Sequence, residues 1–317
     1  MTTECFILTR AVHFGACLLF FGVFAFDRFV AASIFTNAKI EAADYWQARV
    51  RMFSLILLPI ILLSGLAWFV LVAATMSGLP LGQALQPEIM KTVLTQTQFG
   101  TVWEWRLFFW LAAAAVATFF YLLKSKVSFQ KSLAWFQLLF GCLLLGSLAW
   151  AGHGQEGSRW HLFADILHLL VAGFWPTGLL PLILLLRRLR QSSETGRVHS
   201  IAALVRRFSA ISLASVALLA LTGWVNAWFL VGSFSNLIEQ TYGRWLLAKI
   251  ILFCFAVAIG AMNLLRLKPR LSIERPQTQI FEKTAAQLQS NVQMELAIGM
   301  AIVVIVAVLG ILPPANH

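Results

Sequence analysis

The chain has 317 residues, of which 60% are hydrophobic and only 12% charged, about half the charged fraction of a soluble domain, and its mean hydropathy is +0.81. Apolar runs repeatedly reach the roughly 20 residues that a bilayer span requires, which excludes a soluble globular fold and predicts an all-α, polytopic membrane protein. The net charge of +11 then reads as basic loops that fix topology, not as a nucleic-acid surface.

Eight spans can be drawn, at about 6–30, 52–76, 103–123, 131–151, 160–186, 207–231, 244–266 and 290–311. The N-terminus, MTTECFILTR, lacks the basic stretch of a cleaved signal, so the first run is kept as a span. Most of the 24 basic residues fall in the first, third, fifth and seventh connections, with clusters at Lys124, Lys126 and Lys131 and at Arg187, Arg188 and Arg190. That asymmetry predicts odd-numbered loops in the cytoplasm and both termini outside. Cys5, Cys17, Cys142 and Cys254 show no CxxC spacing, so no disulfide framework is expected.

Taken in order, the first span carries RAVH (Arg10 to His13) and then Cys17, which shares a helical face with His13 at i, i+4. The second begins with RMFS (Arg51 to Ser54), contains Pro59 and continues to Ser64-Gly65. The third opens with FGTVWEWR (Phe99 to Arg106), and the fourth carries the small residues Gly141, Gly146 and Ser147, which suit close helix contact. The stretch from Trp150 to Gly178 holds three of the six histidines, His153, His161 and His168, together with Asp165. Positions 161, 165 and 168 lie within about 60° of one another on a helix. Ionisable groups inside an apolar span are costly and read as functional. Pro176 and Pro181 are expected to kink or interrupt this fifth span. The sixth span repeats RRFS (Arg206 to Ser209) and Thr222-Gly223, and the seventh opens with YGRWLLAK (Tyr242 to Lys249). Asn226 and Asn263 lie in spans and need interhelical partners. Trp103, Trp105, Trp150 and Trp160 sit where an outer aromatic belt is expected.

The recurrences define a pattern. Aromatic-Gly followed six positions after the Gly by a basic residue returns at an offset of 143, and RAVH aligns with DILH (Asp165 to His168). They predict a parallel four-plus-four internal repeat with halves 1–151 and 152–317, in which His13 and His168 are equivalent. Imidazole, carboxylate and thiolate together suit copper or zinc, so the candidate metal ligands are His13, Cys17, His153, His161, Asp165, His168 and His317, arranged where the first and fifth spans meet on the outer side. Asp165 could instead pair with Arg10 in the aligned helix end. A single haem between His13 and His168, serving electron transfer or metal reduction, is a competing reading. A third is an assembly factor with no metal of its own. No GxSxG, HExxH, P-loop or dinucleotide glycine motif is present, so an enzyme is not expected.

The runs from Arg206 to Ser233, Tyr242 to Leu271 and Glu295 to His317, with WAGHG at Trp150 to Gly154 and LHLLVAGFWPTGLLPL at Leu167 to Leu182, resemble the copper resistance protein D family (CopD/PcoD) of bacterial inner-membrane proteins. The match is densest from residue 150 onward. The resemblance implies an eight-span inner-membrane protein that moves or accepts copper from the periplasm, with a small periplasmic copper-binding protein of the CopC type as partner. By motif it points to His153, His168 and His317. Trp175-Pro176-Thr177-Gly178 departs from the family's usual Trp-x-Gly-Gly.

Overall fold

The computed structural model describes residues 3–35, 41–122, 127–151, 159–192, 196–271 and 278–315, and within them every regular element is helical. In chain order these are α1 (Thr3–Ile34), α2 (Glu41–Ser77), the short α3 (Pro87–Gln96), α4 (Gln98–Leu122) and α5 (Val127–Gly146). They are followed by α6 (Arg159–Gln191), α7 (Arg197–Val231), the short α8 (Phe234–Glu239), α9 (Thr241–Leu271) and α10 (Thr278–Leu309). Seven of them are long and apolar enough to cross a membrane, and α5 adds a shorter apolar stretch, Lys131–Gly146. Helices are what such runs must form, because hydrocarbon offers backbone N–H and C=O groups no partner outside the segment.

Several helices outrun their apolar stretches. α2 begins at Glu41 rather than near residue 52 and carries Asp44, Arg49 and Arg51 on its extension. Pro59, Pro176 and Pro181 all lie inside continuous helices, so none of them interrupts its span. α2 and α7 both stop at a glycine of positive φ, Gly78 at 67° and Gly232 at 71°, a region of backbone that side chains resist. In each case a short helix follows. α3 starts on Pro87, whose missing N–H costs nothing there, while Ser233 caps α8 by accepting from the Asn236 N–H at 3.1 Å.

α1 and α6 form the central pair. α1 packs on α2 and α5 as α6 packs on α7 and α10, and α4 meets α5 as α9 meets α10. α3 lies on α4, as α8 lies on α9. The two central helices cross where Gly22 faces Gly173 and Thr177, and the Thr177 hydroxyl also reaches the Leu18 carbonyl at 3.3 Å. Thr177 therefore has a packing role at the point where the sequence departs from the family pattern. Interhelical contacts of this kind hold a bundle together by van der Waals packing and hydrogen bonds, the latter about 0.6 kcal/mol each on average.

The two ends of the bundle differ. At one, Asp27 is fully buried and receives hydrogen bonds from Trp46 Nε1 at 2.9 Å, Gln47 Nε2 at 3.0 Å and Arg28 Nε at 2.7 Å. Glu282 there pairs with Arg197 at 2.9 Å and Arg190 at 3.5 Å, and Arg188 pairs with Glu41. This basic end is well supplied with carboxylates. At the opposite end, Arg10 and Arg106 are buried and, among the described residues, neither forms an ion pair. The histidines of the spans lie there.

Candidate functional site

On α1, His13 is 1% exposed and both of its ring nitrogens are engaged. Ser64 on α2 donates its hydroxyl to the Ile60 carbonyl at 2.5 Å, so its oxygen accepts from His13 Nδ1–H at 3.0 Å. That fixes the neutral tautomer, with the Nε2 lone pair free to accept. Arg106 on α4 takes it, placing Nη2 2.6 Å from Nε2. The same guanidinium donates from Nη1 to the Leu144 carbonyl at 2.7 Å and Ser147 Oγ at 2.6 Å on the α5 side, and reaches Cys17 Sγ at 3.7 Å. Cys17 Sγ is 3.8 Å from His13 Nε2, so the pairing expected from i, i+4 spacing is present. Trp68 and Trp103 wall the imidazole at centroid distances of 5.4 and 6.0 Å. Trp103 is thus buried in the pocket and is no part of an aromatic belt, whereas Trp105, Trp150 and Trp160 are exposed. A cavity of about 320 Å³ adjoins the group between α2, α3 and α4, bordered by His13, Trp103, Arg106, Met90 and Trp110.

The second half repeats the plan. Thr222 on α7 donates to the Leu218 carbonyl at 2.7 Å and accepts from His168 Nδ1–H at 2.9 Å. Lys249 on α9, at the position matching Arg106, lies within electrostatic reach of both His168 and Asp165. Asp165 accepts from Asn226 Nδ2 of α7 at 3.0 Å. His161 is buried and stacks on Phe229 of α7 at 4.8 Å. His161, Asp165 and His168 do share one face, then, and each meets a different α7 residue there. Arg10 lies over the rings of Phe14 and Trp68 and against Gly310 of the α10 terminus.

The glycines of the aromatic-Gly motifs explain how the basic residues are delivered. A methyl group at Gly100 would run into the Val93 and Leu94 carbonyls of α3, and one at Gly243 into Asn236 and Leu237 of α8. Each short helix is therefore seated directly on the backbone that starts α4 or α9, one and a half turns before Arg106 or Lys249. Neither basic residue is among the histidine-centred candidates. The available signal was the recurrence of a charge inside an apolar run at the same motif position.

The structure brings together His13 with Cys17, and His168 with the neighbourhood of Asp165, in two separate clusters. Among the described residues no group of three or more His, Cys, Asp or Glu side chains is arranged to hold a metal ion. The haem reading, which needs His13 and His168 at one iron, gains no support, because the two histidines lie in separate clusters with different partners. His153 and His317 lie outside the described residues.

Fold and site together define a multi-pass helical membrane protein with two polar pockets buried among its spans, each built on a histidine and an internal cation. The chain belongs to the copper resistance protein D family. Residues 1–162 match the copper resistance protein D-like N-terminal domain, and residues 202–309 match copper resistance protein D. It is similar to copper resistance protein D of Pseudomonas syringae pv. tomato, 33% identical over 263 residues that make up 80% of each chain. It is also similar to copper transport protein CutJ of Bacillus subtilis strain 168, 31% identical over 73% of this chain and 40% of that one. Inner membrane protein YebZ of Escherichia coli K12 is 27% identical over 97% of this chain and 98% of its own. The first two carry the names of resistance and transport proteins, not of enzymes.

Proposed function

We propose that this protein sits in the bacterial inner membrane, with both termini in the periplasm, and accepts or moves copper through its histidine end. The periplasmic donor on this reading is a small copper-binding protein of the CopC type. The chain divides into halves at 1–151 and 152–317, one pocket to each, and His153 and His317 serve as outer capture points. His161 and Asp165 support the second pocket, Asp165 by balancing charge.

The observation that carries this reading is the separation of His13 Nε2 and Cys17 Sγ, 3.8 Å. Taking zinc bond lengths of about 2.0 Å to nitrogen and 2.3 Å to sulfur as a guide, one ion spans that gap with a bend at the metal. Imidazole with thiolate is a donor set for copper(I). Both His13 and His168 also donate Nδ1–H to a hydroxyl that is itself tied to a backbone carbonyl, the outer-shell arrangement that orients a metal-binding imidazole. Arg106 now places its own positive charge where the ion would go, so copper enters by displacing it. Lys249 has the corresponding place beside His168.

The test is an anaerobic copper(I) titration of the purified protein against a competing chelator, paired with copper X-ray absorption, for wild type, Cys17→Ser and His168→Ala. Loss of the sulfur scatterer and at least about a tenfold weaker Kd, about 1.4 kcal/mol, is expected for Cys17→Ser. Identical stoichiometry and spectra in all three would overturn the assignment.

A further inference from the structure

The second half also buries an acidic side chain that the histidine chemistry does not use. Glu295 on α10 is 4% exposed, in the middle of an apolar helix. Its Oε1 accepts from Asn263 Nδ2 of α9 at 2.6 Å, Asn263 Oδ1 accepts from Asn291 Nδ2 at 2.7 Å, and Asn291 Oδ1 accepts from Gln287 Nε2 at 2.9 Å. Positions 295, 291 and 287 are one turn apart, so they form a polar stripe rising about 12 Å along α10 towards the basic end. Asn263 also opens a π-helical turn, Asn263–Leu267, a local irregularity that frequently marks functional sites.

The second carboxylate oxygen lies beside Gly260, 3.6 Å from where a methyl group would stand. Glu295 and Gly260 border a cavity of about 130 Å³ between α6, α7, α9 and α10, room for several water molecules. α6 contributes Trp175 and Leu179, α9 the Asn263 carboxamide, and α7 the hydroxyls of Ser209 and Ser212. Ser212 Oγ is buried without a hydrogen-bond partner among the described residues. Among the described residues, Glu295 is the one titratable group bordering this space. Gly260 is eleven residues beyond Lys249, about 16 Å along α9, so the cavity is separate from the His168 pocket.

A bare carboxylate among apolar helices is costly, and among the described residues no Lys, Arg or His pairs with this one. Its charge must be cancelled by a proton or a bound cation. Carboxylate, carboxamide and hydroxyl oxygens are hard donors, a poor match for copper(I), and a single anion is too little for a divalent ion such as calcium. We infer that Glu295 is an intramembrane proton-binding site, loaded from this cavity and joined to the basic end by the Asn291 and Gln287 stripe. The corresponding helix pair of the first half has Gln137, whose Nε2 donates to the Ala113 carbonyl at 2.9 Å, so the site belongs to the second half alone.

The inference needs no copper, and its test stays clear of the copper assignment. pH-difference infrared spectra of the full-length, metal-free protein in lipid nanodiscs should show the carbonyl stretch of a protonated carboxyl at neutral pH that fades as the pH is raised. The band should shift in E295D and vanish in E295Q. Dicyclohexylcarbodiimide, which attacks protonated carboxyls in apolar surroundings, should modify Glu295 in the wild type by peptide mass mapping. Superimposable spectra of wild type and E295Q would overturn the inference. If E295Q does not fold, a band unchanged in E295D does the same.

Discussion

The His13 and His168 pockets are built on one plan from different donors. In each, a hydroxyl of the following span fixes the imidazole Nδ1, and a basic residue arrives six positions after a glycine that seats a short helix. Around His13 the basic residue is a guanidinium bound to Leu144, Ser147, His13 and Cys17, and the additional donor is a thiol. Around His168 it is an ammonium, opposed by the carboxylate of Asp165, which Asn226 orients. The first pocket is held shut by directional hydrogen bonds and carries uncompensated positive charge, since Arg10 is buried nearby. The second sets opposite charges, Lys249 and Asp165, within electrostatic reach of each other. On the copper reading, one scaffold would thus present a soft N,S pair at one site and nitrogen and oxygen donors at the other, and copper binding at the two should differ accordingly.

The largest effect should come from the basic residues. Arg106 is 2% exposed, and Arg106→Met strips the donor from His13 Nε2, Ser147 and the Leu144 carbonyl at once. A loss of about 1–3 kcal/mol for each buried acceptor left without its donor is expected. Lys249 and Asp165 are only half-buried, and Lys249→Met, which breaks no such network, should cost about 1 kcal/mol. Unfolding of the two variants in the same detergent by tryptophan fluorescence measures the difference. Equal losses would break the contrast between a locked and a charge-balanced pocket.

The seating of the short helices should be the next most sensitive feature, and here the halves should agree. Gly100→Ala and Gly243→Ala each force a methyl group into backbone of the preceding helix, an overpacking worth about 1–3 kcal/mol. Similar destabilisation in both, measured by the same unfolding assay, is the expected result. Tolerance of one and collapse of the other would show that the shared motif does not build a shared scaffold.

The spans were legible because run length and hydropathy follow directly from bilayer thickness. Their ends were not. Nothing in hydropathy says that α2 continues eleven residues past its apolar part to Glu41, because a helix in water is sustained by packing and by pairs such as Arg188 with Glu41. α3 and α8 were hidden for the same reason, being short segments in polar loops. In the site, i, i+4 spacing found His13 with Cys17 and showed that His161, Asp165 and His168 share a face. It could not show that the shared face meets Phe229, Asn226 and Thr222 of α7. The recurring Arg106 and Lys249 were visible as a pattern, but which side chain they meet depends on the depth at which α4 and α9 pass α1 and α6. Glu295 was as visible as any charge inside an apolar run, yet that no Lys, Arg or His among the described residues pairs with it emerges only from packing.

The smallest effect probes the hydroxyls, and it separates orientation from binding. Ser64→Ala and Thr222→Val remove the acceptor of one imidazole N–H each, at a cost of about 0.5–1.5 kcal/mol, so both variants should fold and retain their helices. The imidazole then loses the constraint that holds its proton on Nδ1, and nitrogen-15 shifts of the labelled histidines should report a mixture of tautomers. On the copper reading, each substitution should also weaken binding at its own pocket by about tenfold, the usual penalty for losing an outer-shell partner. At His13 the change should be muted, because Arg106 still faces Nε2 at 2.6 Å and keeps the proton on the other nitrogen. At His168, Thr222 makes the one hydrogen bond to the ring among the described residues, so Thr222→Val should release the tautomer more fully than Ser64→Ala. The reverse order would mean that Lys249, not Thr222, sets the state of the second histidine.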